Sequence, residues 1–197
     1  MQAATRQEQK AATRERLVDS AMTLFARKGI LQTTTADIAR AIGMSHGVVF
    51  LHFPKRDDLV IAVIDEFARR LAAEFRRALE RDLGLRAVLE AHLLALSEFE
   101  PFYARLVTEA PLLPPKVRST LLLVQAAVAH RIEQAVAREG GRVRSFERHL
   151  LFNTWIGLVH HYLVNRDLFL VGDAAGASVI AEQGDALVRH FMTLVQA

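Results

Sequence analysis

His46, Val48, Leu51 and His52 lie within seven residues of one another, two imidazoles and two aliphatic side chains with no acid among them. Such a set lacks a nucleophile and a paired base, but it suits the surface of a nucleic acid. His46, Val48 and Leu51 are candidates for base edges, the two aliphatic residues against thymine methyls. Neither aliphatic residue makes a bidentate hydrogen bond, so direct readout through them is thin, and packing of Leu51 against a neighbour is the alternative. Thr35, His52, Lys55 and Arg56 are candidates for backbone phosphates, contacts that set register rather than read sequence. Elsewhere the chain offers no catalytic constellation: there is no Ser-His-Asp order, Gly-rich phosphate loop or helical H-E-x-x-H. His160 and His161 are adjacent, so they point to different faces of a helix, and no carboxylate or third His stands three or four positions away; a metal site is not expected. With no cysteine, disulfides, thiolate metal sites and cysteine nucleophiles are excluded. The expectation is a protein that is not an enzyme and carries no cofactor.

These side chains need two short helices and a tight turn to hold them. Thr34 to Phe53, TTADIARAIGMSHGVVFLHF, supplies that pattern. Thr34 can cap the first helix with Asp37 as its partner three residues on, Ser45 can cap the second, and Gly43 can take the positive φ of the turn. Ala39 allows close approach, and Ile38, Ile42, Val49 and Phe53 would hold the pair against a third helix. That third helix is predicted over about Thr13 to Lys28, where Leu17, Ala21, Leu24 and Phe25 form one apolar stripe before Gly29.

Charge and hydropathy agree with this placement. Residues 1–56 carry nine Lys or Arg against four acids, a net of +5, and the remainder is −2 out of an overall +3. The attraction for phosphates therefore lies in the same segment as the helix pair. The first residues have no apolar core of the signal-peptide kind, and no later apolar run reaches membrane-spanning length free of charge or His, so a soluble cytoplasmic protein is expected. Beyond Pro54 the period stays helical. Helices are predicted from near Arg56 past Arg77, from about Leu85 until Pro101 interrupts, from about Lys116 to Arg138, from about Ser145 to Val164 and from about Ala177 to Val195, with a loop at Pro111–Pro115 and a turn at Val171–Gly176. The fold class is all-α, divided into a polar amino-terminal arm (1–12), a three-helix helix-turn-helix unit (13–56) and a larger helical part (57–197).

RERLVDSAMTLFARKGI leading into TTTADIARAIGMSHGVVFLHFPKRDDL resembles the amino-terminal domain of the tetracycline-repressor (TetR-like) family of bacterial regulators, over roughly residues 13 to 60. The matching features are Leu24-Phe25-Ala26 and Gly29, Thr34-Thr35, Ile38-Ala39, Gly43, Ser45, Gly47 and the Phe53 to Leu59 entry into a long connecting helix. The resemblance implies a homodimer that binds double-stranded operator DNA and releases it when a small molecule fills a second, ligand-sensing domain. Two departures stand out: Phe50 replaces a Tyr that commonly bonds a phosphate, and Lys55 replaces a capping Ser or Asn, beside Arg56 in the place of a phosphate-touching Lys.

Two further expectations concern the body. Isolated polar groups on apolar helices, His92 and Trp155 near Leu96 and Phe99, suggest the wall of a pocket for a small, largely apolar effector. Ile180, Leu187, Val188, Phe191 and Val195 on the last helix, with Phe152, Ile156, Val159 and Leu163 on the one before, form stripes suited to a four-helix dimer interface. The overall reading is a dimeric repressor under small-molecule control. A regulator of the same fold that senses nothing, and a helical enzyme or binding protein with an interaction module at its amino terminus, are the alternatives.

Overall fold

A computed structural model describes residues 5–78, 84–139, 147–170 and 177–196; the predicted turn at Val171–Gly176 and the predicted helix start at Ser145 lie outside the described residues. Its helices are α1 (Arg6–Lys28), α2 (Thr35–Ala41), α3 (His46–His52), α4 (Arg56–Ala78), α5 (Leu85–Ser97), α6 (Glu100–Glu109), α7 (Pro115–Arg138), α8 (Arg148–Val164) and α9 (Val179–Val195). The fold is all-α, with no strand among the described residues.

Local chemistry sets most of the ends. α1 begins at Arg6, well before the expected Thr13, because Thr5 and Glu8 form a capping box: the Glu8 amide donates to Thr5 Oγ1 at 3.2 Å and the Thr5 amide to Glu8 Oε2 at 2.6 Å. Residues 6–12 of the predicted polar arm are thus the first two turns of a helix. Gly29 ends it at φ 92°. Pro101, expected to stop a helix, instead lies in the first turn of α6, where its missing N–H costs nothing. Much of the Pro111–Pro115 loop is likewise absorbed, since Ala110–Leu112 form a 3-10 turn and Pro115 opens α7.

The apolar faces meet in one core that runs from Leu17 and Phe25 of α1 through Phe67 and Leu89 to Trp155 and Phe191. α1 packs along α4 and α6; α5 is central in the body, against α4, α7 and α9; and α8 covers α6 and α9. Surface ion pairs reinforce the α1–α4 seam: Arg70 reaches both Asp19 and Glu66, the latter at 2.6 Å. Hydrogen bonds from Arg69, and then those and the charge of Arg70, outweigh the effect of burial and hold the Glu66 carboxyl at about 2. At the far end of α6, Glu100 is buried and closes the amino terminus of α9, accepting from Ser178 Oγ at 2.5 Å, Val179 N at 2.9 Å and Ile180 N at 3.2 Å.

Candidate nucleic-acid interface

The turn between α2 and α3 is set by backbone bonds around one glycine. Met44 N donates to Ala39 O at 2.9 Å and Gly43 N to Arg40 O at 3.1 Å, with Gly43 at φ 69°. This is a Schellman arrangement, which needs a left-handed residue at Gly43. The carbonyl of Ile42 is taken by Arg16 Nη2 from α1 at 3.2 Å. At the start of α2 the expected cap is present: Asp37 N donates to Thr34 Oγ1 at 3.1 Å and Thr34 N to Asp37 Oδ2 at 3.2 Å. Those bonds from Thr34, with Lys28 and Arg40 nearby, lower the Asp37 carboxyl below its ordinary value. Ser45 does not cap α3, for its side chain makes no bond to the helix amides. Instead Thr35 Oγ1 and His46 Nε2 share a hydrogen bond of 2.7 Å between the first turns of α2 and α3.

Val49, Phe53, Ile38 and Ala39 are buried and seat α3 on α1 and α2. The opposite face is open: Leu51 is 75% and Phe50 46% exposed, with His46 exposed beside Phe50, ring edge to face at 5.0 Å, and Val48 and His52 half-buried. Leu51 does not pack into a neighbour. Burial, then the charges of Lys10 and Arg14, lower the His52 imidazole below its usual value. Lys55 is exposed, and its ammonium has no partner among the described residues; its own amide is capped by Asp58 Oδ2 at 3.2 Å.

Arg56 is placed differently from its expected role. Its guanidinium donates to the carbonyls of Ile30 and, at 3.4 Å, Thr33. The link between α1 and α2 leaves these carbonyls without helical partners, and a long cation at the start of α4 satisfies them. The same link is gripped from the other side by Glu109 of α6, whose Oε2 accepts from Leu31 N at 2.6 Å. Arg16 and Glu109 were not anticipated, because their partners stand 26 and 78 residues away.

Residues 17–63, which span this geometry, match the family described as bacterial regulatory proteins, tetR family. The likeness to that family lies in residues 17–63, the part of the chain that holds α2 and α3. Among relatives, the HTH-type transcriptional repressor KstR2 of Rhodococcus jostii (strain RHA1) is 37% identical over 82 residues, 42% of this chain and 40% of that protein. The HTH-type transcriptional repressor Rv1474c of Mycobacterium tuberculosis (strain ATCC 25618 / H37Rv) is 35% identical over 96 residues, 49% of each. The chain thus spans less than half the length of either relative. At the level of fold the likeness is longer: the crystal structure of a TetR-family regulator from Rhodococcus sp., described as putative, matches 93% of this chain and 98% of its own with a TM-score of 0.75 at 20% identity.

In the body of the chain, the four residues expected to wall a pocket are core. His92, Leu96, Phe99 and Trp155 are all buried, and Trp155 Nε1 donates to His92 Nδ1 at 3.0 Å. Burial, with the charge of His160 second, holds the His92 imidazole down at about 3, and burial holds His160 at about 4. Among the described residues, clefts lie elsewhere. One of about 170 Å³ between α4 and α7 includes Leu71, Phe75, Val124 and Val128. A larger one of about 610 Å³ is bounded by the end of α6, α7 and α8, with Val107, Pro111, Leu121, Ile156, Gln125 and His160 on its wall. There the Tyr103 hydroxyl shares a hydrogen bond of 2.9 Å with His160 Nε2.

The stripes expected to meet a second subunit are also turned inward. Ile156, Val159, Leu163, Ile180, Leu187, Val188, Phe191 and Val195 are buried within the protomer, and Phe152 is half-buried against the same core. α5 and α8 of the same chain already cover α9. The outward faces of α8 and α9 carry a second apolar set, with Leu150, Val164 and Leu194 exposed, and Leu168 is exposed in the 3-10 turn that follows α8. Among the described residues no helix is long and apolar enough to cross a membrane, and no group of three or more acids or histidines could hold a metal ion.

Proposed function

We propose that this chain is a DNA-binding transcriptional repressor of the TetR family, with residues 13–56 reading an operator and residues 57–197 responding to a small, largely apolar effector. The supporting observation is the outward face of α3: an exposed Leu51 and Phe50, on a helix fixed from behind by Val49 and Phe53, with the unpartnered Lys55 beside it. His46, Val48 and Leu51 meet base edges; Thr35, His52 and Lys55 meet phosphates. Arg56 acts indirectly, by holding the α1–α2 link in shape.

The chain works as a homodimer through the outward faces of α8 and α9, and its two α3 helices stand about 34 to 36 Å apart, one duplex turn, on an approximately palindromic site. The effector occupies the cleft of about 610 Å³. Val107, Ala110 and Pro111 on its wall flank Glu109, the residue that holds Leu31 N, so an occupant that displaces the end of α6 also displaces the α1–α2 link. It releases DNA only if it binds the displaced arrangement better.

Selection of bound duplexes from a random pool, followed by binding measurements on variants, tests this reading. Leu51→Ala should change the preferred sequence. Lys55→Gln should weaken all sequences alike, by about 1 kcal/mol, and shallow the salt dependence. Failure to enrich any duplex would sink the DNA assignment. An enriched duplex that no apolar compound releases would favour a regulator without an effector.

A further inference from the structure

The first two turns of α1 have no role in the core. Every residue from Thr5 to Ala12 is exposed, and isolated turns of helix are marginal in water unless something packs against them. Their sequence is divided by sign. Arg6, Lys10 and Arg14 follow one another at four-residue intervals, so they fall within about 80° of the helix circumference and span about 12 Å of its length. Glu8 and Glu15 fall on the opposite side. Among the described residues Arg6 and Lys10 have no hydrogen-bond or ion-pair partner, whereas the Arg14 guanidinium rests over the Phe53 ring at 4.9 Å from its centre. That contact ties one end of the cationic stripe to the carboxyl end of α3, and the charges of Lys10 and Arg14 are felt at His52. The stripe is therefore continuous with the open face of α3.

We propose that Arg6, Lys10 and Arg14 form a second phosphate-binding surface, which lays the start of α1 along the DNA backbone beside the groove that α3 enters. The inference rests on the DNA reading of α3 and adds to it a sequence-independent clamp. It also accounts for a binding surface that keeps its charge although the Arg56 guanidinium is directed inward. Along one strand, a stripe about 12 Å long faces about three to four phosphate charges, enough for three cations.

The test uses the full-length chain on a duplex enriched by selection. Arg6→Gln with Lys10→Gln should lower affinity without changing the preferred sequence. It should also reduce the slope of log affinity against log salt by nearly 2, so that the variant loses about tenfold less affinity than the parent between 50 and 200 mM salt. Arg105→Gln with Arg138→Gln removes the same charge from exposed positions on the body and should leave the slope unchanged. Arg6→Lys with Lys10→Arg should restore it. The substituted side chains are exposed, so thermal unfolding should not move. An unaltered slope in the first pair, or an equal change in the control pair, would overturn the clamp while leaving the α3 reading intact. A parent chain that binds no duplex would overturn both.

Discussion

In α1–α3 the helix caps join near neighbours in sequence at the surface, as Thr5 with Glu8 and Thr34 with Asp37 do, and the longer-range bonds of Arg16, Arg56 and Glu109 end on backbone groups of the links. In the body side chains that are distant in sequence pair in enclosed positions: Glu100 with residues 178–180, Trp155 with His92, Tyr103 with His160. The first kind of bond closes as soon as a helix turn forms. The second exists only when remote helices have docked, and inside the core it is electrostatically stronger and costlier to break. Among the described residues no buried side-chain polar atom lacks a partner, so each enclosed pair in the body is a complete match with no reserve. Small changes at the surface unit should therefore be absorbed, and changes to the enclosed pairs should spread.

Acid should expose this contrast most strongly. His160 and His92 are held at about 4 and about 3 by burial, against an ordinary 6.5. Above pH 6.5 both are neutral folded or unfolded, and the body has its full stability. As pH falls from 6.5 toward 4 the unfolded chain takes up protons that the folded one refuses, so stability is lost across that window. His160 alone, lowered from 6.5 to about 4, corresponds to roughly 3 kcal/mol. Unfolding curves at pH 7 and pH 4.5 should differ by a large fraction of total stability, and His160→Gln should flatten the difference. A parent chain equally stable at both would show that these rings are not enclosed.

Next in size is Glu100→Ala, which removes the acceptor of three bonds at the start of α9 and should cost about 3 kcal/mol. Amide exchange should quicken first in α9 and leave α2 and α3 protected. Uniform acceleration through the whole chain would mean that the two regions unfold as one.

Smallest is Gly43→Ala. A β-carbon there meets nothing within 4 Å, so only the strain of φ 69° is felt, about 1 kcal/mol. Gly29→Ala should cost more, since its β-carbon would strike Glu109 Oε1 as well. Equal melting temperatures for the two variants would remove Glu109 from the α1–α2 link.

The contrast also explains what the sequence made legible. Thr34, Asp37 and Gly43 were readable because a cap and a left-handed turn are decided within a few residues. Arg56 was not: its family position suggested a phosphate, while its actual acceptors, the carbonyls of Ile30 and Thr33, are visible only once α4 lies beside the link. Pro101 was read as an end because a proline that stops one helix and a proline that starts the next look alike without the chain's path. The stripe on α9 is a true apolar face, and α5 of the same chain lies against it. Periodicity says that Leu187 and Phe191 must be covered, and not whether the cover comes from α5 of the same chain or from another molecule. An isolated His or Trp on an apolar helix likewise fits a cavity wall and a satisfied core pair equally, and here Trp155 and His92 bond each other at 3.0 Å.

The carboxylate of Glu100 has a consequence for how the chain is made. Synthesis runs from the amino terminus, so α1–α6 leave the ribosome well before residues 178–180. Through that interval Glu100 has no Ser178, Val179 or Ile180 to bond, and the side of α5 that α9 covers is bare. α1–α3 can be complete while the body is still an open hydrophobic trough. Arrest of translation between α6 and α9 would therefore yield nascent chains with finished α1–α3 and an unfinished body, the kind of species that chaperones retain and that aggregates when released.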